Sequence, residues 1–192
     1  MCGRYTLRNP EPLQERFNLE NLEKRYNIAP GQRILVVDDK PHLIKWGFTP
    51  YWAEKPFNLI NARAETLLEK PSFKNSSRCL VPADGWYEWK EVGGQKVPYF
   101  FNLEDKPFFF AGVYGGYRGE VGCAIVTTEA VSNVKIIHSR MPCIINADEH
   151  KKWLGGEDIS SLDMSTLNKI KFFEVSTYVN NPQNDNPKCL EE

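Results

Sequence analysis

Residues 79–126 read CLVPADGWYEWKEVGGQKVPYFFNLEDKPFFFAGVYGGYRGEVGCAIV, and this stretch decides the fold. Trp86 to Lys90, Pro98 to Leu103, Pro107 to Val113 and Val121 to Val126 are short runs rich in aromatic and β-branched residues. That is strand length and strand composition. Turn residues separate them at Gly93-Gly94, Glu104-Asp105 and Gly115 to Gly119. Runs joined this tightly predict a meander of strands. Ahead of them, apolar Cys79 to Val81 leads into Pro82-Ala83-Asp84-Gly85, which suits a type I turn with proline at its second position.

The flanks add smaller elements. Upstream, Ile34 to Val37 and His42 to Trp46 read as a strand pair turning at Asp38-Asp39. Residues 10–24 space Leu13, Phe17, Leu19 and Leu22 for one or two short amphipathic helices. Tyr26 to Gly31 is an extended turn, Gly47 to Pro56 a loop, and Phe57 to Ala62 a short strand. Helical turns are expected at Glu65 to Glu69 and Ser72 to Ser77. Downstream, His138 to Pro142 is a polar loop and Cys143 to Ile145 a short apolar run. Asn146 is placed to cap a helix from Ala147 to Leu154, stopped by Gly155-Gly156. A second helix is expected from Ser161 to Lys169, a last strand from Phe172 to Ser176, and a flexible tail from Asn180. With no repeat or linker, the reading is one α+β domain: a curled, barrel-like antiparallel sheet with flanking helices.

At 192 residues, 41% hydrophobic and 26% charged, the chain has an ordinary globular balance. It contains no apolar run of signal-peptide or membrane-span length, which predicts a soluble, cytoplasmic protein. Its five cysteines are widely spaced and form no CxxC, so neither a zinc site nor a disulfide framework is expected. A net charge of −1 excludes a uniformly basic molecule. Any phosphate binding must come from a local patch.

Four polar stretches interrupt the apolar pattern. The first is Met1-Cys2-Gly3-Arg4. Removal of Met1 would leave Cys2 with a free amine (pKa about 8) beside a thiol (about 8.5). That pair condenses with aldehydes to a thiazolidine, or attacks acyl carbons. The second is Asn61 to Glu65. The third is Gly85 to Trp89, where alternation puts Trp86 and Glu88 on one face and Tyr87 and Trp89 on the other. A carboxylate among aromatics is either desolvated, raising its pKa towards that of a general acid/base, or exposed on a solvated face. The fourth is His138 to Pro142. His138 has no apolar periodicity to explain it, whereas His42 and His150 read as ordinary. Arg4, Arg63 and Arg140 lie within two residues of these groups, and Arg78 is a further candidate. Their forks match phosphate, or surface carboxylates. Trp46 reads by default as core, whereas an exposed Trp52 would offer a stacking surface.

Six motifs, in order, resemble the SRAP family (SOS response-associated peptidase). They are Met1 to Tyr5, Tyr26 to Pro30, Trp46 to Pro50, Asn61 to Thr66, Cys79 to Trp89 and His138 to Pro142. The resemblance covers a domain from residue 2 to 180, leaving 181–192 as tail. It implies a sensor of abasic sites in single-stranded DNA that crosslinks covalently through Cys2. It further implies that Glu88 moves protons and His138 assists ring opening and crosslink reversal. Asn61 would orient Cys2 or the opened sugar, and Arg4, Arg63 and Arg140 would hold phosphates. Thr127 would line the pocket, and Trp52, in Tyr51-Trp52-Ala53, would wedge the DNA. A monomer without metal or cofactor is expected, with abasic-site lyase and autopeptidase activities in view. Two other readings stand. An N-terminal-nucleophile glutamine amidotransferase generally needs Asn-Gly and Gly-Asp motifs, and the chain has neither dipeptide. A non-covalent single-strand-binding module would make Cys2 incidental.

Overall fold

The computed structural model describes residues 2–104, 106–163 and 165–192, Ser132 by its backbone alone. Its strands are β1 (Arg4–Leu7), β2 (Arg25–Ile28), β3 (Arg33–Val37), β4 (Pro41–Trp46), β5 (Asn61–Arg63), β6 (Ser77–Ala83) and β7 (Gly85–Val92). They continue with β8 (Gln95–Asn102), β9 (Phe108–Tyr117), β10 (Glu120–Glu129), β11 (Arg140–Pro142), β12 (Ile144–Ile145) and β13 (Lys171–Glu174). Three short helices accompany them: α1 (Glu11–Phe17), α2 (Ser132–Lys135) and α3 (His150–Leu154). The fold is therefore mostly sheet.

Two sheets carry it. One runs β13-β8-β7-β1-β2; the other runs β11-β10-β4-β3-β6-β9-β12, with β5 beside β10. A further β10–β9 pairing bends the second sheet back on itself. The result is a curled sheet rather than a strict barrel, because two seams are thin. β3 meets β6 at one residue pair, and β4 meets β10 at two. The β10–β4 and β10–β5 pairings are parallel, which corrects the antiparallel expectation.

The strands of the meander appear as read, and longer, with Asp105 of the expected Glu104-Asp105 turn outside the described residues, but the turn at residues 82–85 does not appear. β6 keeps its register against β9 through Pro82 and Ala83. Its single pair with β3 lies earlier, at Leu80, so Pro82 sits where the ladder on that side has ended. Asp84 alone joins β6 in one sheet to β7 in the other. Its buried carboxylate accepts from the Thr6 hydroxyl at 2.6 Å, the Asn9 N–H at 2.9 Å and the Arg8 guanidinium at 3.0 Å. Gly85 follows because a Cβ there would lie 2.1 Å from the Phe100 ring.

Other expectations are corrected. Asn18, in the left-handed region at φ 51°, stops the first helix at Phe17, and 25–28 is a strand. The strand expected at 57–62 is β5, preceded by a bridge between Phe48 and Leu59. Asn146 caps nothing with its side chain, which bonds Thr166 and Asp163, and the helix shrinks to a 3-10 turn and α3. The second helix becomes 3-10 turns at Ile159–Ser161 and Ser165–Lys169; its Met164 lies outside the described residues.

The largest correction concerns the C-terminal residues. Instead of a flexible tail, they form 3-10 turns at Thr177–Asn180 and Pro187–Leu190 and pack on the body. Val175, Val179 and Cys189 join Tyr87 and Phe100 in a second apolar cluster. β7 thus has two dry faces. Trp86, stacked on Phe101 at 5.0 Å, points into the main core, and Tyr87 points into the C-terminal cluster.

Candidate active site

The antiparallel register of β1 on β7 sets Arg4 opposite Tyr87 and Tyr5 opposite Trp86. Continued towards the N-terminus, that register sets Gly3 opposite Glu88, and the Cys2 thiol lies near enough to feel the Glu88 charge. Cys2 is fully buried, and its sulfur accepts a hydrogen bond from the Arg4 N–H. Burial, then the charge of Glu88, pushes the thiol pKa well up. The thiol therefore stays protonated until a base takes its proton. Glu88 is 2% exposed, and burial raises its pKa to about 7, so at neutral pH it can give or take a proton.

His138 approaches from the loop that precedes β11, with Nε2 4.0 Å from Glu88 Oε2. Its Nδ1 lies 3.0 Å from both the N–H and the carbonyl oxygen of Arg140. The backbone can thus donate to the neutral ring or accept from the protonated one. Burial lowers the His138 pKa. The arrangement is a proton-carrying pair beside a thiol.

β10 builds the opposite wall. It places Thr127 between Arg63 of β5 and Pro142 of β11, and Ile125 opposite Asn61. Arg140 donates to both Glu65 carboxylate oxygens, at 2.6 and 2.9 Å, and to the Thr127 carbonyl at 2.7 Å. Those bonds hold the Glu65 pKa below its usual value. The Arg140 Nε is buried with no protein partner, as is the Asn61 Oδ1. The Asn61 Nδ2 reaches the Ile125 carbonyl only at 3.4 Å. Cys2, Glu88 and His138 therefore lie together, Arg140 adjoins His138 and bonds Thr127, and Asn61 stands on β5 two residues before an exposed Arg63.

Three expected DNA contacts fall elsewhere. Trp46 is fully buried, donates to the Ile60 carbonyl at 2.8 Å and meets Tyr5 edge-on, so it is core. Arg78 lies 4.2 Å over the Trp153 ring and donates to the Trp153 and Glu157 carbonyls, clamping α3 to β6. Arg4 commits its guanidinium to Asn27, Val179 and Asn180. Trp52 is 46% exposed, edge-on to a half-exposed Phe57 and beside an exposed Tyr51. His150, read as ordinary, is buried against Phe109 at 4.7 Å.

The sequence left Glu65 without a role, since nothing local links it to a residue 75 positions away. Asp38, Asp39 and His42 are the one acid and histidine cluster among the described residues whose ligand atoms converge. It lies at the β3–β4 turn, where Asp38 already binds His42 at 3.1 Å and Tyr114 at 2.6 Å. Clefts of about 490 Å³ beside α1 and β12 and about 580 Å³ over β3 and β4 contain none of these residues, whereas one of about 610 Å³ borders them through Glu65 and Thr128. A more open one of about 380 Å³, lined by Gly3, Arg4, Trp89, Lys96 and Asn180, adjoins the N-terminal strand. The converging proton carriers, not cleft size, mark the candidate site. Among the described residues no helix is long and apolar enough to cross a membrane.

Comparison with known proteins places the chain in context. A family model described as SOS response associated peptidase (SRAP) matches residues 1–182. The abasic site processing protein YoqW of Bacillus subtilis (strain 168) is 34% identical, covering all of this chain and 99% of its own. The abasic site processing protein YedK of Escherichia coli (strain K12) is 30% identical, with 100% and 99% covered. The abasic site processing protein HMCES of Gallus gallus is 32% identical over 77% of this chain and 56% of its own. A crystal structure of a protein from Bacteroides thetaiotaomicron superposes with a TM-score of 0.82 at 23% identity, over 100% of this chain and 99% of that one.

Proposed function

The chain belongs to the SOS response associated peptidase family, and from that premise we propose that it processes abasic sites in single-stranded DNA by covalent capture through Cys2. The observation that carries this reading is the placement of a buried thiol beside the Glu88–His138 pair, Glu88 on β7 and His138 on the loop that leads into β11. An abasic deoxyribose equilibrates with an open-chain aldehyde. With Met1 removed, the Cys2 amine attacks that carbon, a proton moves to the oxygen, and water leaves as the imine forms. The thiol sulfur then adds to the imine carbon, its proton passes to the nitrogen, and a thiazolidine ring closes.

Each step moves a proton. Glu88, with a pKa raised to about 7, takes the thiol's and returns one to nitrogen. His138, whose pKa is lowered, is the base that opens the sugar ring. Asn61 and Arg140 each offer a buried polar atom that lacks a protein partner, so a sugar hydroxyl or phosphate oxygen would complete them. A lesion without a base leaves no base edge to read. Recognition then falls to the backbone, through Arg63 and Arg140, and to stacking on Trp52. That a deep cleft is not needed follows from the same fact. Cys2, Glu88 and His138 also offer the groups for release of Met1.

The test is a denaturing gel of the purified protein with an oligonucleotide carrying one abasic site. A shifted band that survives heat, disappears with Cys2→Ala and forms slowly with Glu88→Gln supports the reading. No band from protein shown by intact mass to lack Met1 would sink it and send the work to a glutaminase assay. DNA binding unchanged by Cys2→Ala, without a covalent band in either protein, would leave a non-covalent binding module.

A further inference from the structure

β1 is four residues long, and its pairing with β2 shifts register between Tyr5 and Leu7. A reactive group just ahead of such a strand hangs from its first residue, Arg4. After loss of Met1 nothing upstream can hold it, so any restraint must come from the side.

The C-terminal segment supplies that side restraint. Arg4 NH1 donates at 2.8 Å to both the Asn27 Oδ1 and the Val179 carbonyl, and NH2 donates at 3.1 Å to the Asn180 carbonyl. Asn27, fully buried, donates in turn to the carbonyls of Asn184 at 2.7 Å, Val179 at 3.0 Å and Asn181 at 3.2 Å. Asp185 accepts the backbone N–H of Asn27 at 2.9 Å, that of Tyr26, and the Arg25 guanidinium. The Trp89 indole donates to the Asn180 side chain at 2.7 Å. Buried Val179 and Cys189 fasten the segment beneath β7.

We propose that the segment from Thr177 to the C-terminus is a strap that positions the reacting residue. It clamps Arg4 through Asn27, and so holds Cys2, two residues upstream, near Glu88. Arg4, Asn27 and Asp185 are positioning residues. The proposal rests on the reading of Cys2 as the nucleophile. It gives work to the Tyr26–Pro30 motif, which the chemistry leaves unused. The strap's last anchors, Asp185 and Cys189, lie beyond the residues that the family model matches. Misplacing a reacting group by about 1 Å can cost on the order of 100-fold in rate, so a strap with so little chemistry of its own still governs the reaction.

The experiment compares the full chain with one ending at Pro182 and with Asp185→Asn, which keeps the segment should the shortened chain fold poorly. Two rates are read. The first is alkylation of Cys2 by iodoacetamide, located by peptide mass. It should rise at least about threefold in both variants. The second is the single-turnover crosslinking rate on an abasic oligonucleotide, set against affinity for the same oligonucleotide bearing unreactive tetrahydrofuran. The crosslinking rate should fall about 10- to 100-fold while affinity moves less than about threefold. Cys2 alkylation at the full-chain rate in both variants would overturn the strap. So would rate and affinity falling by one factor alongside a lower Tm, which would make the segment a general stabiliser. A full chain that forms no crosslink defeats the functional reading instead, and alkylation still decides the strap.

Discussion

Asn27 and Asn61 are the same residue type on two short strands, and the molecule treats them in opposite ways. Asn27 is fully buried with its bonds made, three donated and one accepted. Asn61 makes one long bond and keeps a buried oxygen without a protein partner. An unmet buried polar group costs about 1–3 kcal/mol. A fold carries that cost where something else completes the group. The arginines divide the same way. Arg4 and Arg78 are spent on backbone carbonyls of their own chain, whereas Arg140 keeps a buried unmet Nε and Arg63 stands exposed. At these residues bonding saturation separates side chains spent on the structure from side chains with capacity left; Trp86 Nε1, Tyr117 Oη and His150 Nε2 are buried without a protein partner too, so an unmet atom does not by itself mark a site.

The sharpest test begins at Glu88, in the candidate site. Glu88→Gln should slow crosslinking about 100- to 10,000-fold and abolish the limb near pH 7 in the pH–rate profile. Its stability effect runs the other way. With a native pKa raised from 4.5 to about 7, the folded chain binds more protons than the unfolded one across that window. Wild-type stability then falls as pH rises through it. Glu88→Gln should therefore be the more stable protein at pH 8, by on the order of 2 kcal/mol, and no more stable at pH 4. Urea melts at the two values check this, and a variant less stable at pH 8 would reverse the sign.

On the closed side, Asn27→Ala strands Arg4 and three carbonyls. It should lower the urea-derived stability by about 3 kcal/mol. Asn61→Ala is the matching change on the open side. It should move stability by less than about 1 kcal/mol yet slow crosslinking roughly 10- to 100-fold. If the two asparagine variants lost stability equally, the comparison would fail. The smallest effect belongs to Arg63→Ala. It should weaken single-strand binding several-fold at low salt and reduce the slope of log affinity against log salt by about 0.7; an unchanged slope would take Arg63 off the phosphates.

Much of this was legible before any coordinates. The strands from Trp86 to Val126 declare themselves because side-chain composition and turn residues act over a few positions, and Trp86 does face away from Tyr87 and Trp89. Asp84 was not legible. A proline, a small residue, an aspartate and a glycine spell a turn, but the chain here steps between sheets around a carboxylate bonded to residues 6, 8 and 9. The C-terminal residues misled for a related reason. Asn, Pro and Glu suggest solvent, yet Asn181, Asn184 and Asp185 bond with β2.

By itself the sequence determined the strand-rich architecture, the family, and the identity of the groups able to do the chemistry: an aminothiol precursor at Cys2, a carboxyl at Glu88 and an imidazole at His138. These follow from local composition and from functional groups that no packing can create. Only the tertiary structure decided which of them meet. It brought His138 within 4.0 Å of Glu88, tied Arg140 to Glu65, withdrew Trp46 and Arg78 into structural places, and wrapped the C-terminus over Arg4. Burial, pKa and bonding saturation are properties of neighbours, and these neighbours are dozens of residues apart in the chain.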